Sequence, residues 1–321
     1  MAQVMTHQSQ DVDDQAKALA GWEQSYEQLG CGRFRGSAWQ LVMPDGVFLR
    51  ETTNRQLRER IMPPRNHLVL AVPLAVEPGS VFAGRPLRRE SLMVLGSQTE
   101  YDVVSAGELD LIGLTVDRAL LEDKLAPAKL EWLERKVGEC NVELPPETAA
   151  AIRHMLLAVC SDVGEQFDGL DDPAQESALL ASTLAHAVIL AMAAERDGGA
   201  STIPRRADSR LKVVKRAVEF MRANLEADIG VPEICAAAFA SRRTLQYCFE
   251  EFMHTTPQAY LRALRLNEAR RALKARSQPP ITELANTLGF SSASHFTRHY
   301  KLMFDELPSE TLKMHCYGPR I

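Results

Sequence analysis

Apolar positions near the end of the chain come twice in one arrangement. Leu245, Phe249 and Phe252 return 51 residues later as Phe296, Tyr300 and Met303, and Pro257 returns as Pro308. Spacings of three and four residues put each set on one face of a helix whose other face is polar. A shorter apolar pair precedes each set: Ile234 with Ala238, then Leu284 with Leu288, 50 residues apart, so the second connection is longer by one residue. Two short helices joined by a tight turn, the second amphipathic, read as a helix-turn-helix, and the duplication predicts two in tandem. Between them Leu261, Leu264 and Leu273 mark the inner face of a connecting helix over residues 257–274, with Arg262, Arg270, Arg271 and Lys274 outside.

Upstream the pattern changes. Trp22, Tyr26 and Leu29 predict a helix within residues 1–36, before a break at Gly30 and Gly32. Alternation then takes over from Ser37 to Val116, through Trp39, Leu41 and Met43, through Leu68, Leu70, Val72 and Leu74, and through Leu109 and Leu111. Turn residues at Pro44, Gly46, Pro63, Pro64, Pro78 and Gly79 divide these strands, which predict a small antiparallel barrel or sandwich. Beyond Val116 helices return. One opens at Pro145 and Pro146 and reaches Val159; another runs from Glu176 to Ala194 with Leu179, Leu180, Leu184, Val188 and Met192 as its stripe, fit for core packing or for a dimer seam. Residues 197–204 hold breakers without a period and predict a linker. The expected fold is therefore α+β: a β-barrel domain with flanking helices over residues 1–196, a linker over 197–209, and an all-α domain with two helix-turn-helix units over 210–321.

Composition sharpens this picture at one point. The net charge of −5 conceals an excess of 7 positive charges in residues 205–321 and of 12 negative charges in residues 1–204, so only the repeat-bearing end suits a polyanion. With 45% hydrophobic and 25% charged residues the composition is that of a globular chain. No run approaches the ~18 apolar residues of a membrane span, and the start around Asp11, Asp13 and Asp14 is no signal peptide, which together predict a cytoplasmic protein with no membrane partner. Six cysteines lack any C-x-x-C pair and read as reduced thiols.

The polar faces of the repeated helices carry the candidate chemistry. Pro232 suits the first turn of one support helix and Ser241 the N-cap of the helix that follows it. That second helix presents Arg242 at its tip and then Arg243, Gln246 and Tyr247. Its later counterpart presents Ser292, Ser294, Thr297, Arg298 and Lys301, with Ser291 or Ser292 as cap and Gly289 in the turn. Arg matches guanine O6 and N7 bidentately and Gln matches adenine N6 and N7, so these nine residues are the candidate contacts to double-stranded DNA. A rigid connector would let both helices enter successive major grooves, one turn of ~34 Å apart, while its own basic residues touch phosphate.

The segments SRRTLQYCFEEF, PQAYLRALRLNEARRAL and ITELANTLGFSSASHFTRHYKLMFDELPSE, within residues 211–312, resemble the DNA-binding domain of AraC/XylS-type transcription regulators. The resemblance covers roughly a third of the chain. It implies a seven-helix DNA-binding domain and an N-terminal cupin-like domain for effector sensing or dimerisation. It also implies promoter binding controlled by a small-molecule effector, and activation through contact with RNA polymerase. Phe239 departs from the pattern, standing in the first turn where these regulators often have Gly. GWEQSYEQLGCGRFRGSAWQ, residues 21–40, with SRRTLQ, is similar more narrowly to the ethanolamine-utilisation regulator.

Three rival readings meet specific obstacles or remain beside this one. A cupin-type metalloenzyme needs a close His-x-His pair and a carboxylate, whereas His67 stands alone among the strands and His154 and His186 fall in predicted helices. His295 and His299 have zinc-compatible spacing but no Glu between them to act as base. An alkyl-acceptor repair protein needs an N-terminal cysteine cluster, and Cys31 is the one cysteine before Cys140. Control by a protein partner gripping the acidic domain remains the alternative to a small effector. No cofactor and no metal are expected, and no effector residues are assigned, since alternation leaves open which faces of the strands bearing Trp39 and Phe48 form an interior.

Overall fold

Residues 2–165, 172–196, 205–275 and 279–316 are described by a computed structural model in which the chain divides into two units. The first comprises residues 1–26, 35–54 and 59–203; the second comprises residues 27–34, 55–58 and 204–321.

Strands β1 (Gln3–Ser9), β2 (Glu23–Gln28), β3 (Gly36–Met43), β4 (Gly46–Thr53), β5 (Leu57–Met62) and β6 (His67–Val76) lead the chain, with the one-turn helix α1 (Val12–Gln15) after β1. They are followed by β7 (Val81–Phe82), β8 (Arg85–Pro86), β9 (Ser91–Gly96), β10 (Tyr101–Val104) and β11 (Leu109–Asp117). Next come α2 (Arg118–Lys124), α3 (Pro127–Glu139), β12 (Asn141–Glu143), α4 (Pro146–Glu165) and α5 (Pro173–Arg196). One sheet has the order β1-β3-β4-β11-β6-β9-β12 and the other β2-β5-β10-β7-β8. Among the described residues neither sheet closes, so the expected barrel is replaced by two open sheets. Alternation assigns faces to a strand, but closure also requires the strand order and stagger to bring the edges together, and β1 and β12 remain at opposite edges.

One face of the larger sheet carries Leu41, Phe48, Leu70, Ile112 and Leu114, buried against Trp132 and Leu133 of α3, Ile152 and Leu156 of α4, and Leu180, Leu184 and Val188 of α5. The α5 stripe thus meets the core. By length and composition α5 would also suffice to cross a membrane, against the expectation that no segment comes near that criterion. The opposite face of the same sheet holds Ala38 and Leu49 beside Leu19, with Trp22 against them.

Residues 1–36 depart most from expectation. Instead of one helix they form β1, the four-residue α1 and β2. Trp22, Tyr26 and Leu29 have helical spacing by coincidence, and Glu27 and Gln28, which pose as a solvent face, are buried. The strand β12 likewise interrupts a stretch expected to be helical, pairing with β9.

The second unit contains α6 (Arg205–Ala223), α7 (Val231–Ala238), α8 (Arg242–Met253), α9 (Pro257–Lys274), α10 (Ile281–Thr287), α11 (Ala293–Phe304) and α12 (Pro308–Cys316). Most of the expected linker, residues 197–204, lies outside the described residues, and its last five positions already belong to α6. Two excursions from the N-terminal region complete this unit. The Gln28 main chain is bound like a strand neighbour by one side chain: its N–H donates to Asn267 Oδ1 at 3.1 Å and its carbonyl accepts from Asn267 Nδ2 at 2.9 Å. The Gln28 side chain donates to the Met303 carbonyl at 2.8 Å, and Gln56 donates to the Met253 carbonyl at 2.9 Å. The residues from 27–34 and 55–58 therefore reach the C-terminal ends of both α8 and α11. Buried Glu27 accepts from the Tyr260 hydroxyl at 3.0 Å and pairs with Arg222 at 2.7 Å, while Arg58 donates to the same hydroxyl at 3.2 Å. Burial and the neighbouring carboxylate raise the Tyr260 pKa, with Arg58 and Arg222 opposing, so this phenol stays protonated and remains a donor.

Removing the Asn267 carboxamide would strand two buried main-chain groups, each worth about 1–3 kcal/mol when unsatisfied. Asn267→Ala should lower unfolding stability by about 2 kcal/mol or more, read as a lower urea midpoint of the full chain; an unchanged midpoint would show that residues 27–34 do not contribute to this unit.

Candidate nucleic-acid interface

Helices α8 and α11 are the same object built twice. Each has 12 residues, and their first and last residues are offset by 51. Ser241 Oγ accepts from Thr244 N at 3.1 Å and Ser292 Oγ from His295 N at 3.1 Å, which makes Ser292 rather than Ser291 the second N-cap. Both helices end on a left-handed residue, His254 at φ 50° and Asp305 at φ 57°.

The connections explain the shift from 51 to 50. Ala240 N donates to the Cys235 carbonyl and Phe290 N to the Ala285 carbonyl, both at 3.0 Å, so the two turns close identically. Ser241 follows Ala240 directly as cap, whereas Ser291 intervenes between Phe290 and Ser292. Phe290 uses the longer turn to reach the core, its ring edge-on to Phe296 at 5.1 Å. The left-handed position is Gly289 at φ 70° in one turn and Phe239 at φ 52° in the other. Phe239 accepts the conformation that Gly adopts freely, with its ring 83% exposed and stacked by the Arg216 guanidinium at 5.4 Å.

Inward faces are dry. Leu245, Cys248, Phe249 and Phe252 are buried on α8, and Phe296, Tyr300, Met303 and Phe304 on α11. The connector α9 keeps the bounds its periodicity predicts and buries Leu261, Leu264 and Leu273. Phe249 meets Tyr260 of α9 edge-on at 5.5 Å. Tyr300 donates to or accepts from Thr311 at 2.8 Å, 51 residues after Tyr260, and burial lifts its pKa to about 12. Arg270, expected outside, is instead buried: it donates to Glu306 Oε1 at 2.7 Å, stacks on Phe304 at 4.6 Å, and Thr311 bonds the same carboxylate. An arginine can lie on the polar side of a helical pattern and still find a buried partner on another helix.

Of the nine candidate contacts, Arg242, Arg243, Gln246, Tyr247, Ser292, Ser294, Arg298 and Lys301 are exposed and Thr297 is half-buried. Among the described residues the side chains of Arg242, Arg243, Arg298 and Lys301 form no hydrogen bond or ion pair with protein groups, which leaves four cations uncommitted on the two outer faces. Others are engaged: Gln246 donates to Glu250 at 3.1 Å, and Tyr247 accepts from Arg210 at 3.0 Å. Arg210 lies 5.4 Å from the Tyr247 ring and pairs with Glu251 at 2.8 Å, so α6 braces the first outer face through a residue the sequence did not single out. His295 and His299 sit Nε2 to Nε2 at 2.9 Å, a hydrogen bond in which either ring can donate. Burial, then Arg262, His295 and Arg298, lower the His299 pKa, which favours its neutral ring as one partner of that bond. No third metal-ligating side chain joins this pair among the described residues.

Residues 234–314, the span of this duplicated structure, match the family described as "Helix-turn-helix domain". The chain is 36% identical over 101 residues to a XylDLEGF operon transcriptional activator of Pseudomonas putida, covering 31% of this chain and 32% of that protein. It is 36% identical over 97 residues to the HTH-type transcriptional regulator GbdR of Pseudomonas aeruginosa, covering 30% and 26%. A solved transcriptional regulator from Chromobacterium violaceum with an AraC-type DNA-binding domain is 32% identical, covering 35% of this chain and 99% of that one, with a TM-score of 0.32. The similarity spans about a third of the curated relatives it reaches. Tandem helices, shared caps and this family match make residues 234–314 a helix-turn-helix domain, similar in sequence to those of AraC-type transcription regulators.

The left-handed Phe239 costs roughly 1–2 kcal/mol relative to an unstrained residue, and glycine returns part of that as chain entropy. Phe239→Gly should therefore raise unfolding stability by a few tenths to about 1 kcal/mol in urea titration; a loss would mean that stacking by Arg216 outweighs the strain.

Proposed function

We propose that this chain is a sequence-specific DNA-binding transcription regulator, an activator whose first unit holds a small-molecule effector and whose second unit reads a promoter. The observation that carries this reading is the pair of identically capped helices, each with uncommitted cations on the face opposite its buried stripe. Arg242 and Arg243 at the start of α8, with Gln246 and Tyr247 behind them, and Ser294, Thr297, Arg298 and Lys301 along α11 form two short reading surfaces. Ser292 serves its helix as cap, and its exposed hydroxyl remains within reach of a phosphate. The names of the relatives, an operon activator and a regulator, support activation, which would proceed through RNA polymerase in the cytoplasm. The outer side of α5, where Ile189 is exposed, is available for a homodimer seam.

Footprinting of the full chain on genomic fragments at moderate salt tests the reading directly. Arg243→Ala and Arg298→Ala should each weaken binding to the protected site by about 1–3 kcal/mol and relax base preference at one position. Equal weakening on every sequence would reassign both to phosphate, and the absence of any protected site would end the proposal.

A further inference from the structure

The face of the larger sheet that bears Ala38 and Leu49 carries an unusual burden of buried acceptors. Glu51 pairs across the ladder with Ala38, and Thr53 lies two residues on, on the same face of β4. Glu51 accepts from Gln15 at 2.8 Å and from the Tyr26 hydroxyl at 2.9 Å. Glu59 of β5 is the second carboxylate. It is 3% exposed, and among the described residues no hydrogen bond or ion pair reaches it. Its Oε1, the Thr53 Oγ1 and the Gln24 Oε1 are all shielded from solvent and without partners. These orphans are not a mixed set: the Gln24 amide oxygen and the ionised Glu59 carboxylate can only accept, and the hydroxyl has an unused acceptor.

The charges agree with that inventory. Burial, opposed by the Gln15 and Tyr26 hydrogen bonds, pushes the Glu51 pKa up to about 7. Burial and then the nearby Glu51 push that of Glu59 well up. Tyr26, whose hydroxyl bonds Glu51, is raised by burial and then by both carboxylates. Two buried acids near each other without a cation are costly, because an ionised carboxylate away from water needs an opposite charge or a proton. Apolar wall is also at hand: Leu19, Ala38 and Leu49 cluster there with the Trp22 indole against them.

We propose that Glu51 and Glu59, with the free oxygens of Thr53 and Gln24, form the receptor site for a small organic cation bearing N–H donors, a primary ammonium or a guanidinium. This deepens the effector-controlled reading above and rests on it for its biological meaning, not for the binding itself. The cation would neutralise the acid pair, and its N–H groups would meet acceptors that the protein leaves open. Its carbon skeleton would lie against Trp22 and Leu19. A quaternary ammonium, with charge but no donor, fits this set less well.

Thermal unfolding of the purified full chain at pH 8, without DNA, is the test. The probes are ethylammonium, agmatine and guanidinium chlorides at millimolar concentration; tetramethylammonium chloride, calcium chloride, urea and ionic-strength-matched sodium chloride are the comparisons. The expected result is a saturable rise in Tm with at least one N–H cation and none with the comparisons. Glu59→Gln should abolish that rise while keeping a ligand-free Tm at or above that of the parent, since it removes a like charge and breaks no hydrogen bond. Glu51→Gln should do the same if it folds; the Glu59 variant decides the matter if it does not. An absent rise, an equal rise in Glu59→Gln, or a response to calcium or tetramethylammonium alone overturns the proposal. So does a chain that ignores every cation and only gains stability on acidification. Raised carboxylate pKa values make the folded chain hold a proton that the unfolded chain has lost between about pH 4.5 and 7, so a proton-filled site loses stability as pH rises through that window. Because no DNA is present, a cation response without any footprint refutes the DNA-binding reading and leaves this site standing.

Discussion

Burial of two apolar stripes on either part of one connector helix is the constraint from which the C-terminal architecture follows. Leu245, Phe249 and Phe252 must leave water, as must Phe296, Tyr300 and Met303, and each such side chain is worth about 1.5–3 kcal/mol when buried. Once they do, α8 and α11 have no rotational freedom about their own axes. Arg242, Arg243, Arg298 and Lys301 then remain outside, because the inward positions are already occupied by these buried side chains.

That constraint needs both ends of each helix closed. Ser241 and Ser292 satisfy the starts, and at the far ends the Met253 and Met303 carbonyls receive Gln56 and Gln28 from the N-terminal third of the chain. Tyr260 in the first turn of α9 and Asn267 near its middle fix the same excursions to the connector. The connector thus acts as a rod with its two arms braced from one side, and the brace is polar and buried.

Periodicity made the repeat readable because the 51-residue echo involves the very residues that fill the interior, and the bounds of α9 follow from Pro257 and the last leucine. Residues 27–34 defeated the same reasoning. Glu27 and Gln28 are polar, so they resemble a solvent face, yet their partners Tyr260, Arg222 and Asn267 lie some two hundred residues away, beyond any local window. Arg270 failed for the same reason, through Glu306. Strand alternation located the sheets but carried nothing about closure, and it hid the acid pair, since Glu51 and Glu59 occupy the alternate positions that ordinarily mean water. That the Glu59 acceptor is buried without a donor was visible only once β5 was placed.

The path of the chain also limits how this protein can be inherited in pieces. It leaves the first unit at residue 27, returns at 35, leaves again at 55, returns at 59, and departs finally near 204. A recombination joint placed between the two halves of such a gene would deliver a reading module without the Glu27, Gln28 and Arg58 that complete its interior, and would leave donors and ionic partners on both sides of the joint facing strangers. Modules of this kind can be exchanged between relatives only if the two excursions change hands together with the helices, which ties the history of the first sixty residues to that of the last hundred.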